Sequence, residues 1–143
     1  MRTVGIDYGD KRIGVSFSDL SGILAGESFT IFVKNPAVAL DELIDAILSR
    51  NTTEIVLGYP KHMNADIGDR AKKSEEIAKI LRKRTGLPVV LWDERCTTVD
   101  AHRILSETGH HGKSRRDKVD SVAASLILQN YLDFKAISKR NNI

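Results

Sequence analysis

Asp7 is the first residue of the chain whose setting suggests chemistry. It lies in segment 5–9, GIDYG, where a short β-prone run gives way to a glycine-containing turn. A carboxylate at the end of a strand is costly unless something pairs with it. Asp7 could therefore help to hold a metal ion or a phosphate, or it could cap the turn by accepting hydrogen bonds from backbone N–H groups. This segment alone favours neither interpretation.

Three further carboxylates lie at or near the ends of predicted strands and helices. Glu94 comes directly after a predicted strand, and Asp120 heads the apolar face of the last predicted helix, with Asp117 one turn earlier. Ligands gather at the carboxyl ends of parallel strands, so we expect Glu94 beside Asp7. Converging carboxylates without a histidine or cysteine cage suit Mg²⁺ or Mn²⁺ rather than zinc. Such a site is suited to phosphoryl transfer, because two such ions can activate a water and stabilise a leaving oxygen.

Each of these carboxylates also has an ordinary interpretation. Asp117 and Asp120 could stabilise a helix N-terminus, and Glu94 could pair with Arg95 or a surface lysine. Each explanation is adequate for one residue by itself. Together they are strained, because all three elements end on the same side of the predicted sheet. We therefore expect a shared metal site.

Composition limits the class of protein and its partners. A chain of 143 residues is one ordinary domain with a real core. The single cysteine, Cys96, excludes an internal disulfide, and the N-terminal segment is unlike a signal peptide or membrane span, so a cytoplasmic protein is expected. The net charge of +3 permits an anionic partner such as nucleic acid without requiring one.

Hydrophobic periodicity predicts the elements that must position the acidic residues. Strands are predicted at residues 3–6, 12–17, 27–33, 54–58 and 89–92. Helices are predicted from residue 35, after a loop at 59–69, at 97–109, and at about 116–134 after a loop at 110–115. Short connections make the first three strands an antiparallel meander, and right-handed crossovers make the fourth and fifth parallel to the first. The predicted fold is α/β, a mixed five-stranded sheet flanked by helices, with one domain at 1–134 and a frayed, charged tail at 135–143.

Four blocks of residues occur in order along nearly the whole chain. They are GIDYG with KRIGV at 5–15, GYP at 58–60 with Arg70-Ala71, DER with Thr97-Thr98 at 93–98, and KVD with Ala123-Ala124 and Ile127-Leu128 at 118–128. Together they resemble the YqgF family, the RuvC-like proteins also called RuvX, which are associated with Holliday junction resolution or pre-16S rRNA processing. The resemblance implies a ribonuclease H-like fold.

The resemblance also implies a site. Asp7, Glu94 and Asp120 would be the catalytic, metal-binding triad, and Asp117 resembles the fourth acid of the RuvC resolvases, although a helix N-terminus role suits it equally well. Segment 64–66 and Cys96 depart from the family pattern. Neither touches the triad, but the conformation of the 59–69 loop and the choice of substrate do not follow from the resemblance.

Basic residues border the predicted site and could bind phosphates without reading bases. They are Lys11, Arg12, Arg95, Lys113, Arg115, Arg116 and Lys118. Arg95 and Lys118 are favoured for phosphate contact because they flank catalytic candidates, whereas the others could equally form a solvated surface. The basic run at 72–84 is interpreted as ordinary helix surface, and Trp92 as a core residue.

The function expected is a divalent-metal-dependent endonuclease that hydrolyses phosphodiester bonds of structured RNA or branched DNA, as a monomer or homodimer. Pre-16S rRNA 5′-end processing and Holliday junction resolution are the two candidate roles. One alternative is a non-catalytic nucleic-acid-binding factor in ribosome maturation or transcription. Another is a nucleotide-phosphate-binding protein, because the Asp7-Tyr8-Gly9 turn also resembles the phosphate loop of the actin and sugar kinase superfamily. The short chain argues against the latter, since those proteins use two such domains.

Overall fold

A computed structural model describes the backbone of residues 1–59, 65–93 and 112–141, and the side chains of residues 1–59, 68–93 and 121–139. The strands in these ranges are β1 (Arg2–Tyr8), β2 (Arg12–Ser18), β3 (Ala25–Phe32), β4 (Thr52–Tyr59) and β5 (Val89–Asp93). The helices are α1 (Pro36–Ser49), α2 (Ala65–Thr85) and α3 (Gly112–Asn141). The helix predicted at 97–109 lies outside the described residues.

The five strands form one sheet in the order β3-β2-β1-β4-β5. β1 pairs antiparallel with β2, and β2 pairs antiparallel with β3. β4 pairs parallel with β1 and with β5. The predicted meander and the two predicted parallel strands are confirmed. Because β1 is the central strand, its carboxyl end lies between the amino end of β2 and the carboxyl end of β4. A ligand site is expected at the carboxyl ends of the parallel strands in an α/β sheet.

Helices cover both faces of the sheet. One face packs against α1 and α2 and includes Val4 and Ile6 of β1 together with Ile13 and Val15 of β2. The other packs against α3, where Val56 contacts a cluster of α3 side chains. Side chains alternate along a strand, so Gly5 and Asp7 lie on the face covered by α3.

Local sequence explains how α1 begins. The side chain of Asn35 accepts hydrogen bonds from the N–H groups of Ala37 (3.0 Å) and Val38 (3.3 Å), while Pro36 occupies the first helical position. An N-cap of this kind satisfies donors that the helix itself cannot. The buried residues of α1 recur every three or four positions: Ala39, Leu43, Ile44 and Ile47. Leu43, Ile44 and Ile47 belong to the apolar pattern that predicts this helix, whereas Leu48 of that pattern is exposed.

Three predicted boundaries are wrong. α2 begins at Ala65 rather than after the predicted 59–69 loop, and α3 begins at Gly112 rather than near Arg116. α3 also continues to Asn141, past the boundary expected at Phe134. In all three places charged or polar residues suggested a loop or a tail. Lysine and arginine are nevertheless good helix formers, and Lys135 bonds to Glu54 of β4 at 2.9 Å, which ties the helix to the sheet beyond residue 134.

The sequence predicts Ala71, Ile77, Ile80 and Leu81 on the inward face of α2, and one of these four positions is wrong. Ala71, Ile77 and Leu81 are buried as expected, but Ile80 is 36% exposed. Ser74 and Ala78 complete the buried stripe instead. Within the described residues, no helix has the length and apolar character that crossing a membrane requires.

Candidate active site

Asp7 stands at the carboxyl end of β1. It lies opposite Gly14 of β2, and the parallel pairing with β4 ends one residue earlier, at Ile6 and Leu57. Its side chain is partly buried. The chain then turns, and the N–H of Gly9 donates to the carbonyl of Arg12 at 2.9 Å. A Cβ on Gly9 would lie 2.7 Å from that carbonyl oxygen, so the close turn requires glycine.

Two contacts show the direction in which helix α3 crosses the sheet face that carries Asp7. A Cβ placed on Gly5 would lie 2.8 Å from the carbonyl oxygen of Ala124, so the helix rests on β1 at that point. Farther along α3, Tyr131 donates to Glu54 at 2.7 Å, and Glu54 pairs with Thr3 near the start of β1. α3 therefore runs antiparallel to β1. The turns that precede Ala124 lie toward the carboxyl end of that strand.

This direction brings the backbone of Asp120 toward Asp7. Asp120 precedes Ala124 by four residues, about 6 Å along a helix axis. Asp7 follows Gly5 by two residues, about 6.6 Å along a strand. The displacement from Ala124 to Asp120 along α3 and that from Gly5 to Asp7 along β1 are nearly equal in length. Both run toward the carboxyl end of β1. Asp117 belongs to the turn before Asp120, and the side chains of both aspartates lie outside the described residues.

Two lateral contacts hold α3 in this position. The hydroxyl of Ser125 donates to that of Ser16 in β2 at 3.1 Å, and Gln129 accepts a hydrogen bond from the N–H of Ala25 at 2.9 Å. Ala123, Ala124, Ile127 and Tyr131 are all buried, so the predicted apolar face of α3 is confirmed. The site is thus positioned by packing that involves none of the proposed ligands.

Strand β5 leads toward the remaining predicted ligand. Asp93 is its last residue and lies opposite Tyr59, while Glu94 and Arg95 lie outside the described residues. Among the described residues there is no group of three or more histidine, cysteine, aspartate or glutamate side chains that could hold a metal ion. The described side chains therefore include one member of the predicted triad, Asp7.

Of the predicted basic residues, some have described side chains and others do not. Lys11 is exposed and Arg12 is partly exposed, both at the turn that follows Asp7. Lys113, Arg115, Arg116 and Lys118 belong to the first turns of α3, with side chains outside the described range. The first two turns of α3 therefore carry four basic residues near the end of the helix that faces Asp7.

Two aromatic residues near the ends of β4 and β5 have partners within the protein. The ring of Trp92 lies 5.3 Å from that of Tyr131 and 5.3 Å from that of Phe134, as expected for a core residue. Tyr59 donates a hydrogen bond to Glu75 of α2 at 3.1 Å. This bond raises the pKa of Tyr59, because the carboxylate favours the protonated phenol.

A charged pair at the β1–β2 turn was not predicted from the sequence. Lys73, interpreted as helix surface, donates to the carboxylate of Asp10 in the β1–β2 turn. The hydrogen bond lowers the pKa of Asp10 and raises that of Lys73, so both groups are charged at neutral pH. The signal available for Lys73 was its place on α2. It precedes Ser74, which is buried, and therefore lies at the margin of the buried stripe. The partner could not be found from helical spacing, because Asp10 lies 63 residues away.

The sheet order and strand directions define the ribonuclease H-like class of fold, and solved structures agree. Thermus thermophilus RuvC in complex with a Holliday junction substrate matches with a TM-score of 0.58 at 10% identity, over 89% of this chain and 91% of that one. The fowlpox virus Holliday junction resolvase matches with a TM-score of 0.58 at 14% identity, over 93% of this chain and 99% of that one. At these identities the likeness is one of fold.

Sequence comparison identifies the family. The family model described as "RuvX: Holliday junction resolvase" matches residues 1–134. A relative from Lachnospira eligens is 46% identical over 138 residues, which cover 94% of this chain and 99% of the relative. One from Halothermothrix orenii is 42% identical over 135 residues, covering 94% and 96%. Both carry the provisional name pre-16S rRNA nuclease. The chain belongs to the RuvX family, whose members are described as nucleases.

Proposed function

We propose that this protein is a divalent-metal-dependent endonuclease that hydrolyses phosphodiester bonds in structured nucleic acid. Asp7, Glu94 and Asp120 form its catalytic and metal-binding set. The observation that supports this most directly is the packing of α3 on Gly5, because it directs the turn containing Asp120 toward the end of β1 that carries Asp7. Side-chain alternation along β5 adds to the argument, since Trp92 faces α3 and a residue two positions later is expected to share its face.

The chemistry of the donor set fits a hard cation. Asp7 is a partly buried carboxylate at the end of a strand, a setting in which a cation lowers the cost of the charge. Aspartate and glutamate oxygens are the ligands of Mg²⁺ and Mn²⁺. Bound there, such an ion would supply an activated water and stabilise the leaving oxygen. Asp117 is either a fourth ligand or a helix N-terminus carboxylate.

The chain's own basic residues would bind and orient the substrate. Lys11 and Arg12 border Asp7 on one side, and the four basic residues of the first α3 turns border it on the other. Arg95 and Lys118 are adjacent or close in sequence to triad members, so we assign them to the phosphates flanking the reacting bond. Arrays of this kind position a backbone without reading bases.

Precursor 16S rRNA is the substrate we propose first. The two relatives at 42% and 46% identity carry that substrate in their names, whereas the likeness to the two resolvase structures is at 10–14% identity and concerns the fold. This substrate implies a cytoplasmic location. A four-way DNA junction is the second candidate, and its resolution requires two active sites in a symmetric dimer.

Parallel incubations test the proposal. The purified protein is incubated with Mn²⁺, with Mg²⁺ and with EDTA, in each case with precursor 16S rRNA or a four-way DNA junction. Cleavage of either substrate that requires the ion and is absent in Asp7→Asn is the predicted result. Binding without cleavage under all conditions would favour a non-catalytic factor. Binding of ATP in calorimetry would favour the nucleotide-phosphate alternative.

A further inference from the structure

A cavity of about 290 Å³ opens beside the carboxyl end of β1, on the sheet face opposite Asp7. Residues 8–10 of the β1–β2 turn form one wall, and Asp69, Arg70, Lys73 and Ser74 of α2 form the other. Cavities that enclose a whole small ligand occupy about 300 to 1,000 Å³ and are mostly apolar. This one lies at the lower limit, and its charged lining residues are two carboxylates, Asp10 and Asp69, and two cations, Arg70 and Lys73. Its size therefore fits part of a larger molecule better than a complete small ligand.

The ion pair across the cavity is largely exposed to solvent. The side chain of Asp10 is 78% exposed and that of Lys73 is 48% exposed. Pairs this exposed contribute little to folding. The ammonium group of Lys73 has three N–H donors, and its bond to Asp10 uses one of them. The pair thus holds a cation with further donor capacity at the mouth of the cavity.

Arg70 adds a second positive charge to the same wall. It lies one helical turn before Lys73 and interacts electrostatically with Asp10, whose pKa it helps to lower. A guanidinium group is well suited to phosphate oxygens because its N–H groups form a planar fork. Lys73 and Arg70 thus present two cations to one opening.

The cavity is also close to the predicted reaction centre. Asp10 follows Asp7 by three positions, so their Cα atoms are at most about 11 Å apart. In a nucleic acid strand, one phosphate recurs for about every 3.4 Å of helix axis. A strand whose phosphate reacts at Asp7 therefore carries other phosphates within reach of the cavity.

We propose that Lys73 and Arg70 bind a backbone phosphate of the substrate strand, a few nucleotides from the bond that is hydrolysed. This assignment rests on the proposed function. Asp10 competes with the phosphate for Lys73 and, in the free protein, keeps the ammonium group at the cavity mouth. The site contacts the backbone alone, so it serves RNA and DNA equally and sets the path of the strand rather than its sequence.

The test uses two variants of the same ion pair, one that removes its positive charge and one that removes its negative charge. Lys73→Ala removes the cation, Asp10→Asn removes the competing carboxylate, and Lys79→Ala removes an exposed cation elsewhere on α2 as the matched control. Binding of a labelled RNA stem-loop and a labelled four-way DNA junction is measured by anisotropy in EDTA over a range of salt concentrations. Circular dichroism melts verify that each variant is folded.

Lys73→Ala is expected to weaken binding of both probes about three- to tenfold and to reduce the salt slope by about one. Asp10→Asn is expected to tighten binding, whereas Lys79→Ala changes it much less than Lys73→Ala does. If the pair were only structural, Lys73→Ala and Asp10→Asn would shift binding in the same direction, and that result would overturn the assignment. Equal effects of Lys73→Ala and Lys79→Ala would also overturn it.

A cleavage assay with Mn²⁺, run beside the binding assay, separates this inference from the proposed function. Metal-dependent cleavage by the wild type with no specific effect of Lys73→Ala contradicts the inference alone. Opposite effects of the two pair variants on binding, with no cleavage by the wild type, contradict the nuclease proposal alone. A wild type that binds neither probe contradicts both.

Discussion

Gly5 of β1 and Ala124 of α3 lie closer together than they could if position 5 carried a side chain. A Cβ on Gly5 would lie 2.8 Å from the carbonyl oxygen of Ala124 and 2.7 Å from the Cβ of Leu128. The helix can rest on the strand only because position 5 has no side chain. This contact fixes how far α3 extends toward the end of β1, and hence where the turn containing Asp120 lies.

Gly5→Ala should therefore destabilise the protein and displace α3. Overpacking of a close contact costs about 1–3 kcal/mol, and urea denaturation measures the loss. Gly68→Ala is the matched control, because a Cβ at Gly68 meets nothing within 4 Å and alanine is favoured in a helix. An unchanged free energy of unfolding in Gly5→Ala would show that α3 does not rest on β1 in this way.

Tyr131→Phe should cost about 1 kcal/mol, the usual worth of one hydrogen bond. The phenol of Tyr131 is buried and donates to Glu54 at 2.7 Å, and burial followed by this bond raises its pKa well above 10, so the phenol stays protonated across the neutral range. Trp92, the only tryptophan of the chain, lies 5.3 Å away, and its fluorescence reports unfolding. Tyr131→Ala, which also opens a cavity, should cost about 3–5 kcal/mol. Equal losses in the two variants would contradict the assigned role of the hydroxyl.

Asp19 should account for part of the acid sensitivity of folding. Its carboxylate accepts hydrogen bonds from the N–H of Ile23 (2.9 Å) and the hydroxyl of Ser21 (2.9 Å), which lower its pKa below the ordinary 3.8. A lowered carboxylate pKa contributes stability above the ordinary value, and that stability is lost as the pH falls through the folded value. The melting temperature of Asp19→Asn should therefore fall less than that of the wild type between about pH 5 and about pH 3. Asp45→Asn, at an exposed position on α1, controls for the loss of one charge, and a wild-type acid profile in Asp19→Asn would refute the prediction.

Binding of nucleic acid should weaken steeply with salt and depend little on sequence. The basic residues proposed to border Asp7 suit phosphates rather than base edges, and each phosphate contact contributes about −0.9 to the slope of log K against log salt for duplex DNA. Titrations in EDTA at several salt concentrations measure this slope. Probes of equal shape and different sequence form the control. A flat response, or strong discrimination between those probes, would contradict the prediction.

The sheet could be predicted from the sequence because its signals are local. Alternation at 12–17 and 27–33 and the apolar run at 54–58 each identify a strand without reference to the rest of the chain. That β4 and β5 run parallel to β1 followed from the handedness of crossovers. The wrong boundaries, at Ala65, Gly112 and Asn141, all lie in polar segments, where helix propensity and loop signals overlap.

The candidate site likewise combines features that could be predicted from local sequence with features that could not. The position of Asp7 at a strand end could be predicted from the apolar run before it and the glycine after it. The link between Lys73 and Asp10 could not, because it joins elements 63 residues apart and a lysine on a polar helix face carries no sign of its partner. The approach of α3 to β1 was likewise hidden, since Gly5 was interpreted as part of the predicted strand at 3–6 and of the GIDYG block, and not as a packing surface.

Removal of the Asp7 charge tests the central claim most directly. Asp7→Asn is nearly isosteric, and Asp93→Asn serves as control because Asp93 ends β5 on the face of Leu91, which packs toward α1 and α2. Melting temperature is measured with and without Mn²⁺, alongside cleavage. We predict that Asp7→Asn melts at or above the wild-type temperature without metal, because converging carboxylates repel one another. It should also lose both the Mn²⁺-induced shift and cleavage, whereas Asp93→Asn keeps them. If Asp7 instead caps the turn, asparagine should cap it about as well as aspartate does. Asp7→Asn should then keep the wild-type stability and remain active, and that activity would contradict the metal site.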